Sequence, residues 1–188
     1  MTRPLHAAER TTLLRLARDA IASRLSGRPA PVIEPPPGPL REDRGAFVTL
    51  TLCGELRGCI GHVVATLPLW ETVRENAVNA AFRDPRFPPV TAEELGRIAL
   101  EISALTPLRA VSSPDEIEVG RHGLMIRVGA ARGLLLPQVA SEQGWDRFAF
   151  LQQTCRKAGL DPDAWRRPDA LLEVFEAEVF GDADGAHP

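Results

Sequence analysis

The sequence predicts an α+β fold in which two β-β-α-α-β (β3α2) repeats merge into a single barrel-like, mainly antiparallel sheet with the helices outside. Strand-like and helix-like segments follow one another in the same order in both halves of the 188-residue chain. Three strands with one apolar face are too few to be stable alone, so we expect the halves to share one sheet. Short motifs also recur at a nearly constant offset: Gly45 matches Gly123, Arg57-Gly58 matches Arg132-Gly133, and Asp84-Pro85 matches Asp161-Pro162.

The composition is that of an ordinary folded domain. Hydrophobic residues make up 44% of the chain, charged residues 25%, and the net charge is −3. These values exclude a disordered or collagen-like chain and provide no overall positive charge to attract nucleic acid or an anionic membrane. No segment reaches the roughly 18 apolar residues of a membrane span, and the N-terminus lacks the pattern of a signal peptide. We therefore expect a cytoplasmic protein that binds neither nucleic acid nor a membrane.

Chemistry-bearing motifs with a known spacing are missing from the sequence. The three cysteines, Cys53, Cys59 and Cys155, show no metal-ligand spacing and are expected to be reduced thiols without a disulfide. There is no P-loop, no dinucleotide fingerprint after a strand, and no zinc-protease or serine-hydrolase pattern. No metal and no cofactor are therefore expected.

The chain begins with a helix and a proline-rich segment. Apolar residues at helical spacing predict a helix from about Leu5 to Leu25, which Ser26-Gly27 ends and which packs on the domain. Six prolines between positions 28 and 40 predict an extended arm, taken as a connector rather than a ligand for a proline-binding module. The predicted organisation is helix 1–27, arm 28–44, domain 45–180 (first repeat 45–106, connector 107–122, second repeat 123–180) and flexible tail 181–188.

A β-hairpin opens the domain. Gly45–Cys53 reads as a strand, Gly54-Glu55 as a type II′ turn, and Leu56–His62 as the returning strand. This register sets Leu50 opposite Cys59 and Leu52 opposite Arg57. It puts Arg57, Cys59 and Gly61 on the face of Val48, Leu50 and Leu52, and a one-residue slip would reverse that placement.

Apolar periodicity and capping signals predict the remaining elements. The first repeat continues with a helix over Leu69–Phe82, a capping box at Thr91–Glu94 and a strand over Ile98–Leu105. The second repeat contains strands at 124–128, 133–136 and 171–180, a helix over Trp145–Ala158 with a Schellman stop at Gly159, and a short helix at Asp161. The predicted buried face of its main helix is Phe148, Leu151, Cys155 and Ala158.

The densest cluster of reactive residue types is the segment Leu56-Arg-Gly-Cys-Ile-Gly-His62. Glycines weaken a strand, so Gly58 and Gly61 imply that a ligand or loop approaches the backbone. In one interpretation Arg57 holds an anion and Cys59 is a thiolate whose pKa the guanidinium lowers. In the other, Cys59 is a small core residue and Arg57 pairs with a carboxylate such as Glu101. The repeat favours the second interpretation for the thiol, because Cys59 corresponds to Leu134.

Other polar residues are expected around the same cleft. His62 ends the strand as a base or as a surface or capping residue, and Glu101 either faces water or pairs with an arginine. Asn76 and Arg83 are seven residues apart, hence on one helix face. They lead into Asp84-Pro85-Arg86, a loop that either presents polar groups to the cleft or is a salt-bridged connection.

The motifs GAFVTL, GELRGCIG, NAAFRDPRFPP, EIS, GLLLPQVA, GWD and CRKAGL, in this order, resemble the AmmeMemoRadiSam system protein A family, also called the AMMECR-one domain family. The resemblance runs from about Gly45 to Phe180 and implies a fold of two β3α2 repeats in one barrel-like sheet. It implies a Memo-type protein and a radical-SAM enzyme as partners. The positions that match the family signature are Arg57, Gly58, Cys59, Gly61, Asn76, Arg83, Asp84, Arg86, Phe87, Glu101 and Gln138.

Two functions follow from these observations. The first is an accessory or small-molecule-binding component of an AmmeMemoRadiSam-type system, with a cleft around the LRGCIG strand. The second is an enzyme that uses Cys59 as a thiolate and Arg57 as an anion clamp on a small anionic or carbonyl substrate. Catalytic candidates are Cys59, Arg57 and Glu101, and substrate-binding candidates are Gly58, Gly61, His62, Asn76, Arg83, Asp84, Arg86 and Gln138.

Overall fold

The computed structural model describes residues 3–29, 35 and 37–182, and these residues form two four-stranded sheets with helices. The chain divides into two units, one comprising the chain up to Leu105 together with the residues from Glu178 onward, the other Thr106–Ala177. Among the described residues, no helix combines the length and apolarity needed to cross a membrane.

The first unit contains three helices and four strands. Its elements in chain order are α1 (Ala7–Ser26), β1 (Ala46–Leu52), β2 (Glu55–His62), α2 (Leu69–Phe82), α3 (Ala92–Leu95), β3 (Ile98–Leu105) and, from the end of the chain, the strand Ala177–Gly181. The strands lie in the order β2, β1, β3 and Ala177–Gly181, so β2 is an edge strand. The predicted helix at 69–82 and strand at 98–105 are confirmed to the residue.

The second unit has the other sheet. Its elements are β4 (Arg109–Ala110), β5 (Gly123–Val128), β6 (Ala131–Leu135), α4 (Pro137–Glu142), α5 (Arg147–Lys157) and β7 (Leu171–Phe175). The strand order is β4, β7, β5, β6. The strand Ala177–Gly181 is β8. Short 3-10 turns lie at Pro39–Arg41, Pro114–Glu116 and Ala164–Arg166.

The α+β class is confirmed, and the registered strand pairs are antiparallel as expected. The merging of the repeats into one barrel-like sheet is wrong, because the described strands form two separate sheets. The predicted strand 171–180 breaks at Glu176, and its two parts join different sheets. Two hydrogen bonds to Thr106 occur at the break. The Glu176 N–H donates to the hydroxyl of Thr106, and the Thr106 N–H donates to the Glu176 carbonyl.

The hairpin turn is one residue earlier than predicted. Leu52 pairs with Glu55, so the two turn residues are Cys53 and Gly54, with φ of 54° and 84°. Two positive φ values are typical of a type I′ turn, whose twist matches that of the strands. A β-bulge follows between Leu50 and Thr51.

The new register moves the LRGCIG side chains. Cys59 lies opposite Thr49 and Gly61 opposite Phe47, while Gly58 lies opposite Leu50. The expected placement of Arg57, Cys59 and Gly61 on the Val48 and Leu50 face is therefore wrong. Cys59 and Gly61 lie on the other face, and Arg57 lies in the bulge without a registered partner on β1.

The core of the first unit lies between one face of its sheet and the two long helices. The stripe predicted for α1, Leu13, Ala17, Ala20 and Ile21, is buried as expected. It packs with α2 through Val73 and Ala77 against the Val48 and Leu50 side of β1. Gly27, at φ 68°, ends α1 where the sequence places its stop.

The core of the second unit is built on α5. The predicted Schellman stop is confirmed, with Gly159 at φ 71° and the Leu160 N–H 3.0 Å from the Cys155 carbonyl. The predicted burial of Phe148 is wrong, since 54% of this residue is exposed. Asp146 caps the helix, and Phe150 fills the core in place of Phe148.

Parts of two predicted segments lie outside the described residues. Residues 30–34 and 36 of the proline-rich arm are among them, and the arm ends in a 3-10 turn where Leu40 is buried. Residues 183–188 of the predicted tail also lie outside. Gly181 belongs to β8, and the Asp182 carboxylate accepts hydrogen bonds from Arg18 and from the Leu100 N–H.

Each unit contains a hairpin followed by helices and a further strand. In both, a glycine of the second hairpin strand lies against a helix backbone: Gly58 against Ala80 in α2, and Gly133 against Thr154 and Ala158 at α5. The duplication itself stays a prediction.

Candidate functional site

Arg57 is held on every nitrogen by its own chain. Its side chain is 11% exposed, and its Nε and Nη2 donate to the two carboxylate oxygens of Glu94 at 2.9 and 3.0 Å. Its Nη1 donates to the Pro88 carbonyl at 2.9 Å, and Nη2 also to that of Pro89 at 3.3 Å. A bidentate pair with two further acceptors satisfies a guanidinium removed from water. The partner suggested from sequence, Glu101, is wrong, and Glu94 takes its place.

Glu94 joins this pair to a helix terminus. It is the third helical residue after Thr91, and its carboxylate accepts the Thr91 N–H at 2.8 Å, which completes the predicted capping box. Hydrogen bonding from Arg57 and then from Thr91 lowers the pKa of Glu94 to about 2. Arg57, Glu94 and the two proline carbonyls therefore fix the segment 88–94 against the bulge of β2.

Asp84 and Arg86 bind the backbone of Cys59 in the way a neighbouring strand would. The Asp84 carboxylate accepts the Cys59 N–H at 2.9 Å, and Arg86 Nη2 donates to the Cys59 carbonyl at 3.2 Å. The two side chains also pair, with Arg86 Nε 2.9 Å from Asp84 Oδ1. Since β2 is an edge strand, this clasp covers backbone groups that would otherwise invite pairing with another chain.

The Asp84 side chain is almost completely buried, at 1% exposure, whereas that of Arg86 is 54% exposed. Hydrogen bonds, first from Arg86 and then from the Cys59 amide, hold the pKa of Asp84 well below its ordinary range. Asp84 is thus an ionised structural group. Arg86 keeps an exposed guanidinium surface, which stacks 5.4 Å from the ring centre of Phe87.

As predicted, other atoms lie close to the backbone at Gly58 and Gly61 of the LRGCIG strand, and these atoms belong to the protein itself. A methyl group at Gly58 would overlap the carbonyl oxygen of Ala80 in α2. One at Gly61 would overlap the Ala46 carbonyl and the Phe47 ring. The space over these glycines is therefore filled by helix and strand atoms.

Cys59 lies in a row of polar side chains across the outer face of the first sheet. Thr49 pairs with Cys59 on one side and with Glu101 on the other. The Thr49 hydroxyl donates to Cys59 Sγ at 3.3 Å. Adjacent strands are about 4.8 Å apart, so the Cys59 and Glu101 backbones are separated by about 10 Å with Thr49 between them. Glu101 is exposed, and sequence reasoning missed Thr49 because the predicted register placed it on the other face.

Asn76 and Arg83 do not share a face. Asn76 is buried at 2% exposure and donates to the Ala46 carbonyl at 3.1 Å, with His62 Nδ1 3.5 Å away. Arg83 is exposed and lies outside the helix at φ −132°, donating to the Asn79 side chain at 3.3 Å. The seven-residue argument fails because α2 ends at Phe82. His62 Nε2 is buried and has no hydrogen-bond partner among the described residues.

One candidate residue belongs to the other unit of the chain. Gln138 lies in α4 of the second unit. Within the part of the chain that the structure describes, no three His, Cys, Asp or Glu side chains are grouped to hold a metal ion. Cys53, Cys59 and Cys155 are free thiols, and burial raises the pKa of Cys155.

The comparison with known families decides where this chain belongs. The AMMECR1 family model matches residues 14–180. The chain belongs to the AMMECR1 family. The matched range includes α1 from Leu14 onward, the whole LRGCIG strand and most of β8, so it extends further toward the N-terminus than the motifs read from the sequence.

Relatives in this AMMECR1 family are similar over most of their length. The chain is 47% identical over 185 residues to the Methanopyrus kandleri protein MK0488, covering 94% of this chain and 89% of that protein. It is 48% identical to the Thermococcus kodakarensis protein TK0174, covering 89% and 87%. The crystal structure of the uncharacterised protein PH0010 from Pyrococcus horikoshii superposes with a TM-score of 0.79 at 44% identity, covering 90% and 89%. The AMMECR1 family and its fold are therefore shown.

Proposed function

We propose that the chain is a non-catalytic, accessory component of an AmmeMemoRadiSam-type system, acting in the cytoplasm with a Memo-type protein and a radical-SAM enzyme. Family membership supports the system, and one structural observation supports the accessory role. Every guanidinium nitrogen of Arg57 is already bonded to Glu94, Pro88 or Pro89. An arginine that clamps a substrate needs free donors, and the fold engages four of the five N–H groups of Arg57.

The neighbouring signature residues support the same role. Asp84 and Arg86 hydrogen-bond the backbone of Cys59, and Gly58 and Gly61 allow other backbone and side-chain atoms of the protein to pack closely against β2. The residues that make the LRGCIG segment recognisable thus stabilise an edge strand and its connection to segment 88–94. A rigid strand with a protected edge suits a protein whose outer surface docks partners.

An enzyme that uses Cys59 is the second candidate, and one observation favours it. Cys59 is half-buried on an open sheet face, beside the Thr49 hydroxyl and with the Arg86 guanidinium 3.2 Å from its own carbonyl. The anion clamp of this mechanism, however, has less support, because four of the five N–H groups of Arg57 are bonded within the fold.

Reconstitution with the two proposed partners separates these candidates. The chain, a Memo-type protein and a radical-SAM enzyme from one genome are purified, binding is measured by interferometry, and S-adenosylmethionine consumption is followed with and without the chain. We expect binding to at least one partner, and Cys59→Ala to keep binding and consumption within about twofold of wild type, like the control Cys53→Ala. A hundredfold loss of consumption in Cys59→Ala alone, with binding intact, would establish the enzyme instead.

A further inference from the structure

A groove lined by arginines runs between α1 and α2 of the first unit. It has a volume of about 440 Å³ and is bordered by Arg24, Arg28, Arg74 and Arg83. Arg24 and Arg28 come from the end of α1 and the residues after it, Arg74 from the middle of α2, and Arg83 from its C-terminal end. Four guanidinium groups from two helices therefore surround one concave surface.

These arginines are largely unneutralised. Among the described residues, Arg24, Arg28 and Arg74 form no ion pair with a carboxylate, and Arg83 donates only to the amide oxygen of Asn79. In the part of the chain that the structure describes, Glu75 is the one acidic residue in the lining. In a chain of net charge −3, this is a local excess of positive charge, which the carbonyl ends of α1 and α2 beside Arg24 and Arg83 offset only in part.

A second groove in the same unit shows the contrast. It is larger, about 810 Å³, and is bordered by Arg10, Arg15 and Arg18. There, Arg18 pairs with Asp182 and Arg10 with Glu178. Two of its three arginines thus join α1 to the end of the chain, and among the described residues only Arg15 has no ion pair there, whereas none of the four arginines of the α1–α2 groove is paired with a carboxylate.

The lining also suits the organic part of a ligand. Ala20 and Val78 provide small apolar surface between the helices, and Ser23 and Asn79 add neutral hydrogen-bonding groups. The volume is within the range of small-molecule sites. Guanidinium groups match phosphate oxygens bidentately, and two or more of them favour a ligand with more than one phosphate.

We propose that the α1–α2 groove binds a small molecule carrying at least two phosphate groups. Arg28 and Arg83 hold the anion at the ends of the two helices, while Arg24 and Arg74 contact it from their flanks. This site shares no residue with the clasp of Asp84 and Arg86 on Cys59, although Arg83 directly precedes Asp84. It does not depend on the partners proposed above, because it is tested on the isolated chain.

The test uses pyrophosphate as the probe and isothermal titration calorimetry at low salt. We expect saturable one-to-one binding that weakens as salt is added. The double variant Arg28→Ala/Arg83→Ala removes two exposed side chains and should weaken binding about tenfold or more. The control Arg132→Ala/Arg156→Ala removes the same charge from exposed sites in the second unit and should stay within twofold.

Several results would overturn the proposal. These are no pyrophosphate binding by the wild-type chain, an equal loss in the control variant, or binding of a poly-glutamate peptide without binding of pyrophosphate. The last would assign the groove to an acidic protein segment. Melting temperatures check that the variants fold. If the double variant does not fold, the binding measurement is made on Arg28→Ala alone, because Arg28 lies beyond the end of α1.

Discussion

At the scale of single residues, Glu94 neutralises Arg57, and its carboxylate accepts the Thr91 N–H and thereby caps the N-terminus of α3. From the sequence, its role in the capping box could be predicted because both members lie three residues apart. Its pairing with Arg57 could not, since the two residues are 37 positions apart and any nearby carboxylate satisfied the same requirement. Local bonds are readable from local sequence, whereas the choice among distant carboxylates depends on the register of β2.

The pairing predicts a pH dependence. The folded-state pKa of Glu94 is about 2, below its ordinary value of 4.5. A depressed carboxyl pKa gives stability that is fully present above pH 4.5 and is lost as the pH falls toward 2. We expect the free energy of unfolding of the wild type to fall in this window, and Glu94→Gln to be less stable at pH 7 yet flatter below pH 4.5. Urea unfolding at pH 7, 4.5 and 3 measures both slopes, and parallel slopes would refute the assignment.

At the scale of elements, helix and strand positions were predictable because apolar spacing and caps are local signals. The errors occurred where a single bulge or bond decides the outcome. The β-bulge between Leu50 and Thr51, which adds Arg57 to β2 as an extra residue, changes the face on which Cys59 lies. A pair of hydrogen bonds, from the Glu176 N–H to the Thr106 hydroxyl and from the Thr106 N–H to the Glu176 carbonyl, marks the point where the last predicted strand divides between two sheets. Neither feature can be predicted from the spacing of hydrophobic residues.

Gly58 tests the packing of β2 on α2. A methyl group there would overlap the Ala80 carbonyl, so Gly58→Ala must displace the strand or the helix. We expect a loss of about 1 to 3 kcal/mol in the free energy of unfolding, as for other overpacked sites. The matched control is Gly96→Ala, where φ is −70° and no atom lies within 4 Å of the new methyl group. That variant should be neutral or slightly stabilised, and equal effects at the two positions would contradict the packing described here.

Amide hydrogen exchange tests whether Asp84 covers the backbone of the edge strand β2 at Cys59. The Cys59 N–H donates to Asp84, whereas Ile60 lies opposite Val48 of β1. In Asp84→Asn the carboxylate loses its charge and its pairing with Arg86, so the Cys59 amide should exchange at least tenfold faster while the Ile60 amide changes little. Hydrogen exchange followed by NMR resolves the two sites. Unchanged protection at Cys59 would show that Asp84 does not cover the edge.

At the scale of the whole molecule, the α+β class could be predicted from the order of the elements, but the number of sheets could not. The prediction assumed that each three-stranded half lacks a fourth strand. The structure supplies one to each sheet, β8 beside β3 and β4 beside β7, and β4 is only two residues long. A two-residue strand has no periodicity to detect, so four-stranded sheets were not foreseen.

The central claim is that the LRGCIG strand is built for stability rather than for chemistry, and Arg57→Ala tests it most directly. Urea unfolding is followed by the fluorescence of Trp70, buried in the first unit, in a background with Trp145→Phe and Trp165→Phe. Removing Arg57 leaves the Glu94 carboxylate and two carbonyls without their donor, and we predict a loss of about 3 to 5 kcal/mol. The exposed control Arg15→Ala should change stability by less than about 0.5 kcal/mol. A loss below about 1 kcal/mol for Arg57→Ala would contradict the structural role and return Arg57 to the list of ligand-binding residues.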